Sequence, residues 1–361
     1  MKNKTTRREF LVRSSTMTAS AMAASTMAAS GLGLVSSAAH AQAPTVRVTH
    51  FGGPYQALDQ AVGKPFEAAG LGRVEFIASL TPATMGQLQA NRANPPFDVV
   101  MVSRPAGVRA GRAGLVEKID TAQLPNLPQL ETRSLSPDGF GIPFVLDTIE
   151  IMYNKKLVSE PIRSWLDLWR PELKGKIALP STSVVFAPDF VALIARSLGG
   201  SEKDPKAIDE AFKKIIELKS HVRTFTTNPE QASALMERGE IAASPQFGVR
   251  IGSVIKNNPD VARSLPEEGA AARPYDLAIP AQSPARELAY RYINFVIGRE
   301  AQENLIRTLQ ATVVNREAVV PEDLRDKVVT DFSKLIFWDD TYMAGVEREW
   351  RTRWERTVQA G

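Results

Sequence analysis

Cysteine is absent from all 361 residues of the sequence. Its absence excludes disulfide bonds, thiolate metal sites and a lipid-anchored amino terminus. Histidine is scarce as well, with three residues in the chain. His50 and His221 lie far apart in sequence and have no acidic partners at ligand spacing, so a zinc site is not expected.

Catalytic motifs are missing too. The sequence has no Gly-x-Ser-x-Gly elbow and no P-loop, and Gly139-Phe-Gly141 lacks the third glycine and the preceding strand of a dinucleotide motif. Adjacent carboxylates such as Glu267-Glu268 and Asp339-Asp340 are typical of solvated surface loops. We therefore expect a protein that is not an enzyme and that needs no cofactor.

A surplus of either charge is lacking once residues 1–41 are set aside. That segment holds five of the 44 basic residues and one of the 40 acidic residues, so 39 of each remain. Nucleic-acid binding needs a concentrated excess of lysine and arginine, and we expect no such partner. The remaining length of about 320 residues is enough for two ordinary domains.

The amino terminus carries the features of an export signal. Arg7 and Arg8 are followed by Phe10 and Leu11, by a stretch rich in Ala, Ser, Thr and Met, and by Ala39-His40-Ala41. This pattern is typical of a twin-arginine leader that is cleaved near Ala41. An uncleaved membrane anchor is the alternative, but the segment is poor in the Leu, Ile and Phe of a spanning helix. We expect a soluble periplasmic protein.

Short strand-like segments alternate with amphipathic helices, which predicts an α/β fold. Strands are expected over residues 46–51, 73–78, 97–102 and 176–180. Pro54 should begin a helix that runs to about residue 69, and Asp204-Pro205 should begin the clearest helix of the chain. A further helix is predicted over residues 288–309, and the aromatic stripe over residues 342–358 predicts a docked carboxyl-terminal helix.

Several motifs follow one another through the middle of the chain. They are Gly141-Ile-Pro-Phe, Ile151-Met-Tyr-Asn154, the tryptophan-bearing segment 161–169 and Pro171-Glu-Leu-Lys-Gly-Lys-Ile177. In this order, and with weaker matches over residues 46–320, the chain closely resembles the solute-binding proteins of ABC importers. The spermidine/putrescine-type group is the nearest match. Independently of the resemblance, Ser164 and Asp167 form the pattern of a helix capping box.

The resemblance implies a two-lobed, periplasmic-binding-protein-like (type II) fold, with a mixed sheet flanked by helices in each lobe. Residues 42–145 and 277–313 are expected in lobe 1, and residues 146–276 and 314–361 in lobe 2. Hinge strands are expected to cross near residues 143–148, 275–279 and 312–315. Closure about them would bury the solute and present a monomeric binding protein to a permease of the inner membrane.

Ligand contacts are expected at turns after strands, where open α/β sheets place their binding residues. The candidates are Phe51, Gly52, Gly53, Tyr55, Ser103, Arg104, Ser181, Thr182, Ser183, Gln246, Phe247, Arg273, Tyr275 and Asp276. The glycines could offer free N–H groups to a ligand or only satisfy a tight turn. The hydroxyls could contact the ligand or only cap a helix.

The sequence leaves the charge of the ligand open. Polyamine binders of this group clamp amines with carboxylates and aromatic rings, and Tyr275 and Asp276 could serve an amine. Arg273 stands where an aromatic ring is expected, and Arg104 lies in another cleft-facing turn. Such arginines would attract a carboxylate or phosphonate and repel a polyamine. Asp189 could be a cleft carboxylate or a favourable first-turn residue of a helix.

Three alternatives to an importer receptor remain. A ferric-iron receptor could use the same fold, although the tyrosines singled out at 153, 275, 290, 292 and 342 include no adjacent pair. An exported enzyme could borrow a binding-protein scaffold. A receptor could also feed a signalling protein in place of a permease.

Overall fold

A computed structural model describes residues 43–325 and 327–360 of the chain. The predicted twin-arginine leader over residues 1–41 lies outside the described residues. Within the described part of the chain, no helix combines the length and the apolar character needed to cross a bilayer.

The strands are β1 Thr45–His50, β2 Arg73–Ala78, β3 Val100–Ser103, β4 Ile142–Asn154, β5 Ile177–Pro180, β6 Val222–Thr226, β7 Ala243–Phe247, β8 Val261–Ser264, β9 Ala270–Ala278, β10 Thr312–Val313 and β11 Leu335–Ile336. The α-helices are α1 Lys64–Ala68, α2 Thr81–Ala90, α3 Arg104–Arg112, α4 Ala187–Ser197, α5 Pro205–Leu218, α6 Pro229–Glu237, α7 Gly248–Asn257, α8 Arg286–Val296, α9 Arg299–Leu309 and α10 Asp340–Trp354. Short 3₁₀ segments cover Gly53–Ala57, Thr121–Gln123, Leu127–Gln129, Thr132–Ser134, Trp165–Trp169, Pro171–Leu173, Lys219–His221, Glu322–Leu324 and Phe332–Lys334, and π-helical turns cover Asp59–Gly63 and Glu355–Gln359.

The strands form two sheets of mixed direction. β1 and β2 pair in parallel, and a single parallel bridge from Val48 to Val99 leads from this pair towards β3. The larger sheet has nine strands, with the order β11-β9-β4-β7-β5-β6 and with β3, β8 and β10 attached to β9 and β4. Strand β5 pairs in parallel with β6 and β7, whereas β4 pairs in antiparallel with β9. The sheet is therefore mixed, as the sequence predicted.

Strand β4 belongs to two hydrophobic cores at once. All thirteen of its residues are buried. Its first part, through Leu146, packs in one core with β1, β3, α8 and α9. Ile149, Ile151 and Tyr153 of the same strand pack in a second core with β5, α4, α5 and the tryptophans of α10. Met152 packs in a smaller cluster with α6 and α7. Strand β4 passes from the first core to the second between Leu146 and Ile149.

Strand β9 and the segment after β10 also pass from one core to the other, close to the expected lobe boundaries. In β9, Ala271 packs with the second core and Ala272 with the first. After β10, the apolar side chains through Leu335 stay with the first core, and Ile336 and Trp338 pack against the second. The boundaries given above therefore remain a prediction, and the packing favours an earlier crossing in β9, near residues 271–272, and a later crossing after β10, near residues 335–338.

Local sequence signals account for several elements. Ser164 and Asp167 form the capping box at the start of the Trp165–Trp169 turn, as predicted. The segment after β1 is helical from Gly53, but it is wound in three different ways and only Lys64–Ala68 is α-helical.

The single helix predicted over residues 288–309 is wrong, because α8 and α9 are separate. Asn126 donates to the Asn294 carbonyl at 2.9 Å, and a Cβ atom at Gly298 would lie 2.9 Å from its amide nitrogen. The close approach of this asparagine at the helix break explains why glycine stands there.

A buried ion pair lies beside the passage of β4 between the cores. Glu150 is fully buried, and the Arg263 side chain is 8% exposed. The Arg263 guanidinium donates to both Glu150 carboxylate oxygens, at 2.8 and 2.5 Å, and to the Lys327 carbonyl. The Thr148 hydroxyl donates to the same carboxylate. This ion pair ties the segment after β10 to β4 and β8.

Replacing Arg263 with methionine should destabilise the fold. The change leaves the Glu150 carboxylate buried without its cationic partner, which costs about 3–5 kcal/mol of unfolding free energy. Urea denaturation of the purified protein measures this loss. Arg238→Met is the matched control, since its pair with Glu240 lies at the surface and should contribute less than about 1 kcal/mol. Equal losses in the two variants would contradict the assignment.

Candidate functional site

The lobe-1 side of the candidate site is built on the turn after β1. Gly52 and Gly53 have φ values of 73° and 54°, in the left-handed region that favours glycine. The turn places Phe51 beside the helical segment that carries Tyr55. It also leaves room for the Arg250 guanidinium of α7, which would lie 3.5 Å from a Cβ atom at Gly53. The turn conformation thus accounts for the glycines and brings residues of both lobes together.

Three rings, which we call the aromatic cluster, meet at the centre of the site. Phe51 and Tyr275 have ring centroids 5.0 Å apart, and Tyr55 lies 6.0 Å from each of them, all in edge-to-face geometry. Tyr275 comes from β9, so the crossing strand contributes directly to the cluster. Burial raises the pKa of both tyrosines well above the ordinary value, and their hydroxyls stay protonated.

A buried carboxyl group lies behind the aromatic cluster. Asp147 of β4 is 3% exposed and accepts hydrogen bonds from the Tyr55 hydroxyl at 3.4 Å and from the Val249 N–H at 3.2 Å. Burial raises its pKa to about 6, with the Glu150 charge acting in the same direction and Arg250 and the two hydrogen bonds opposing. The sequence analysis missed this residue, although two acidic side chains, Asp147 and Glu150, in a mostly apolar strand were a usable signal.

Each arginine of the site is already paired with a carboxylate. Arg104 makes a two-point contact with Asp276, at 3.1 and 2.9 Å, and also donates to the Ser134 carbonyl. Arg273 contacts Asp189 at 2.5 Å, and the Trp338 indole donates to the same carboxylate at 3.0 Å. Arg250 contacts Glu230 at 2.7 Å.

Two carboxyl groups of the site lack such a partner. Among residues 43–325 and 327–360, Asp147 and Asp340 form no ion pair. Burial also raises the pKa of Asp340, which is half-buried at the start of α10 and is not the solvated surface residue expected from its sequence. The site therefore holds more carboxyl groups than arginines, even though three arginines are present.

The lobe-2 side is formed by the segments after β5 and β7. The Ser181 and Ser183 hydroxyl oxygens lie 2.7 Å apart, and Ser183 donates to the Thr227 carbonyl. The Thr182 N–H donates to the side chain of Gln359. Gln246 is fully buried and donates to the Pro229 carbonyl at 2.8 Å. These polar groups are engaged within the protein, and their hydrogen bonds fix the shape of the segments that carry them.

Phe247 ends β7 and packs on the segment after β5. It is 4% exposed and packs edge-to-face on Phe186, with ring centroids 4.9 Å apart. The main chain then continues directly into α7, which carries Arg250 towards the turn at Gly53.

A cavity of about 50 Å³ lies where the two lobes and β9 meet. Ser103 and Arg104 line it from lobe 1, Asp189 lines it from α4, and Arg273 and Tyr275 line it from β9. The segment Trp338–Glu347 closes it, a contribution that the sequence analysis missed because its aromatic stripe predicted only a docked helix. Of the predicted residues, Ser103, Arg104, Arg273 and Tyr275 meet here, and those after β1 adjoin through Tyr275. The predicted residues after β5 and β7 do not line this cavity.

Mixed α/β architecture with strands that cross between two hydrophobic cores is the fold of the periplasmic solute-binding proteins. The predicted two-lobed fold is confirmed by solved structures of such proteins. The substrate-binding protein of a spermidine/putrescine ABC transporter from Streptococcus pneumoniae aligns with a TM-score of 0.73 and 20% identity, covering 87% of this chain and 99% of that one.

The chain belongs to the bacterial extracellular solute-binding protein family, whose model matches residues 61–329. It is 28% identical over 253 residues to the spermidine/putrescine-binding periplasmic protein of Escherichia coli, covering 64% of this chain and 68% of the relative. It is 26% identical over 306 residues to the gamma-aminobutyric acid-binding protein of Pseudomonas aeruginosa, covering 82% and 84%. The chain is therefore a substrate-binding component of an ABC importer and not an enzyme.

Asp147 should make the stability of the protein depend on pH. Because its pKa is about 6 in the folded state, against an ordinary 3.8, the folded protein holds this proton over a range in which the unfolded chain releases it. The stability that this proton contributes is fully present below pH 4 and falls as the pH rises from 4 to 6. Above pH 6 the titration of Asp147 no longer changes the stability. The shift corresponds to about 3 kcal/mol.

Asp147→Asn removes this titration, so the variant should gain about 3 kcal/mol relative to the wild type between pH 4 and pH 7. Urea unfolding at several pH values measures the difference. Asp323→Asn serves as the control because that side chain is exposed. Parallel pH profiles for the wild type and Asp147→Asn would contradict the assignment.

Proposed function

We propose that the protein captures a small solute bearing a primary ammonium group in the cleft between its lobes and delivers it to a permease of the inner membrane. The observation that carries this proposal is the pairing of charges. Each of the three site arginines has a carboxylate partner, and Asp147 and Asp340 have none among the described residues. A cationic group on the solute would supply the missing charge.

The aromatic cluster supports the same choice. Tyrosine and phenylalanine rings attract a cation placed over their faces, and the attraction strengthens when the site is shielded from water. The Asp147 carboxylate accepts a hydrogen bond from the Tyr55 hydroxyl, so its negative charge lies at the edge of the cluster and adds to the attraction of the rings. We propose Phe51, Tyr55 and Tyr275 as the ammonium-binding wall.

The other predicted residues have supporting roles in this proposal. Gly52 and Gly53 shape the turn, and Ser103, Gln246, Phe247 and the segment Ser181–Ser183 form the surrounding wall. The Arg104–Asp276 and Arg273–Asp189 pairs fix the floor of the cleft. Arg250 is the arginine best suited to an anionic group at the far end of a zwitterionic solute, because its partner Glu230 is 62% exposed and the pair is open to solvent.

The named relatives support an amine. Spermidine, putrescine and gamma-aminobutyric acid, the compounds in those names, all carry a primary amino group. The arginines in the predicted turns had left an anionic solute open, and their pairing with carboxylates weakens that alternative.

Solute entry requires the lobes to separate. The cavity of about 50 Å³ has room for a few water molecules, which is too little for a four-carbon solute. We propose a hinge where β4, β9 and the segment after β10 pass between the cores, with closure driven by contacts from both lobes to the same solute. We further propose export to the periplasm by the twin-arginine leader and action as a monomer that binds no nucleic acid. The periplasmic names of the relatives support the location.

The charge preference can be tested with three solutes of the same chain length. Butane-1,4-diamine, 4-aminobutanoate and butanedioate differ only in whether each end is an ammonium or a carboxylate. We expect the first two to raise the melting temperature of the mature protein and butanedioate to leave it unchanged. A ligand present at 100 times its Kd adds about 2.7 kcal/mol to stability, which thermal melting resolves easily.

Isothermal titration calorimetry then gives the Kd values for the solutes that respond. A response to butanedioate alone would overturn the amine proposal and leave a receptor for anions. No response to any of the three, or to longer amines, would count against solute capture in this cleft.

The aromatic contribution can be tested at Tyr275. Tyr275→Leu removes the ring and should weaken binding of the amine about tenfold, the size of a shielded cation–π contact. Tyr275→Phe is the matched control and should bind within about threefold of the wild type, since it keeps the ring and loses only the hydroxyl. Calorimetric titration measures both. Equal losses in the two variants would assign the role to the hydroxyl instead.

The ferric-iron alternative gains one favourable observation, since Tyr55 and Tyr275 lie beside each other and beside Asp147. Iron binding uses tyrosine as phenolate, however, and burial raises the pKa of both hydroxyls. Titration with ferric citrate, followed by the visible absorption of an iron–phenolate complex, distinguishes the two functions.

A further inference from the structure

We propose that Arg351 of α10 is a positioning residue for solute binding, because it holds the segment Thr182–Val185 in the shape of a cleft wall. This segment joins β5 to α4 and has no regular secondary structure of its own. Val185 lines the cavity and is 52% exposed. The inference rests on the proposed capture of a solute in this cleft.

One guanidinium group satisfies three carbonyl oxygens of the segment. Arg351 donates to the carbonyls of Thr182, Val184 and Val185, the last two at 3.0 and 2.8 Å. The planar fork of an arginine has fixed donor directions, so three acceptors on one fork hold the backbone in one arrangement. Carbonyl groups in an irregular segment would otherwise turn to water, and the wall would lose its shape.

Arg351 is itself held in place. Glu347, one turn earlier on α10, accepts from it at 3.0 and 2.7 Å and also lines the cavity. The Arg351 side chain is 21% exposed, so its bonds to the segment are partly shielded from water. Helix α10 therefore contributes Glu347 to the lining of the cavity. Through the Glu347–Arg351 ion pair it also holds the segment Thr182–Val185.

The docking of the helix does not depend on this clamp. Trp350, Trp354 and Val358 are buried in the second hydrophobic core, and Trp354 packs edge-to-face on Phe190 of α4. Loss of the guanidinium should therefore loosen the segment while the helix stays in place. This separation distinguishes a positioning role from a merely structural one.

The experiment compares Arg351→Met with Arg351→Lys and Arg348→Met. Methionine keeps most of the apolar stem and removes every donor, whereas lysine keeps the charge without the planar fork. Arg348 is an exposed arginine of the same helix, and its methionine variant is the matched control. Hydrogen–deuterium exchange, read by mass spectrometry, follows peptides over residues 179–187 and 342–356, and calorimetry gives the Kd of the best amine.

We expect Arg351→Met to speed exchange in residues 179–187 at least tenfold, with exchange in residues 342–356 unchanged, and to weaken solute binding about tenfold through faster dissociation. Arg351→Lys should recover part of both effects, and Arg348→Met should match the wild type. Unchanged exchange in residues 179–187 would overturn the proposal. Equal acceleration in both peptides would also overturn it, because Arg351 would then dock the helix.

The proposed function fails separately from this inference. If the wild-type protein binds none of the solutes, the capture of an amine is wrong, and the exchange measurement still decides whether Arg351 holds the segment. If the segment loosens while the Kd stays within twofold of the wild type, Arg351 has no positioning role in binding.

Discussion

The structure depends on one constraint, which is that strand β4 belongs to both lobes. Thirteen consecutive buried residues pair with β9, β10, β7 and β8, so neither core can form without the same piece of backbone. Such a strand is mostly apolar, and the polar residues Asp147, Thr148 and Glu150 stand where it passes between the cores. Polar groups in that position must be satisfied internally, and the pairing of Glu150 with Arg263 and the hydrogen bonds to Asp147 do this.

The pairing of the site arginines with carboxylates also determines which charge on a solute the site can attract. An arginine in a binding turn attracts an anion only if its charge is available, and in this protein each candidate has a carboxylate within 3 Å. Two of those carboxylates, Asp189 and Asp276, are buried, so releasing the arginine would leave an unpaired buried charge. The paired arginines are therefore part of the framework of the cleft, and in our proposal the unpaired Asp147 and Asp340 give it a preference for a cationic solute.

The sequence was most informative where structure is local. The bounds of β2 and the capping box at Ser164 follow from strand alternation and from residues three positions apart, and both agree with the structure. The order of motifs identified the family before any geometry was known. The break between α8 and α9 was missed because its cause, Asn126, lies about 170 residues earlier in the chain. The partners of Arg104 and Arg273 are 172 and 84 residues away, so no local pattern could have predicted them.

The most direct test of the account is a crystal structure of the protein grown with the amine that raises its melting temperature most. We predict that the ammonium group lies over the aromatic cluster, within about 6 Å of the Tyr275 ring centroid, with both lobes in contact with the solute. The pairs Arg104–Asp276 and Arg273–Asp189 should be intact. An amine directed to solvent, with either arginine released from its carboxylate to bind the other end of the solute, would contradict the account.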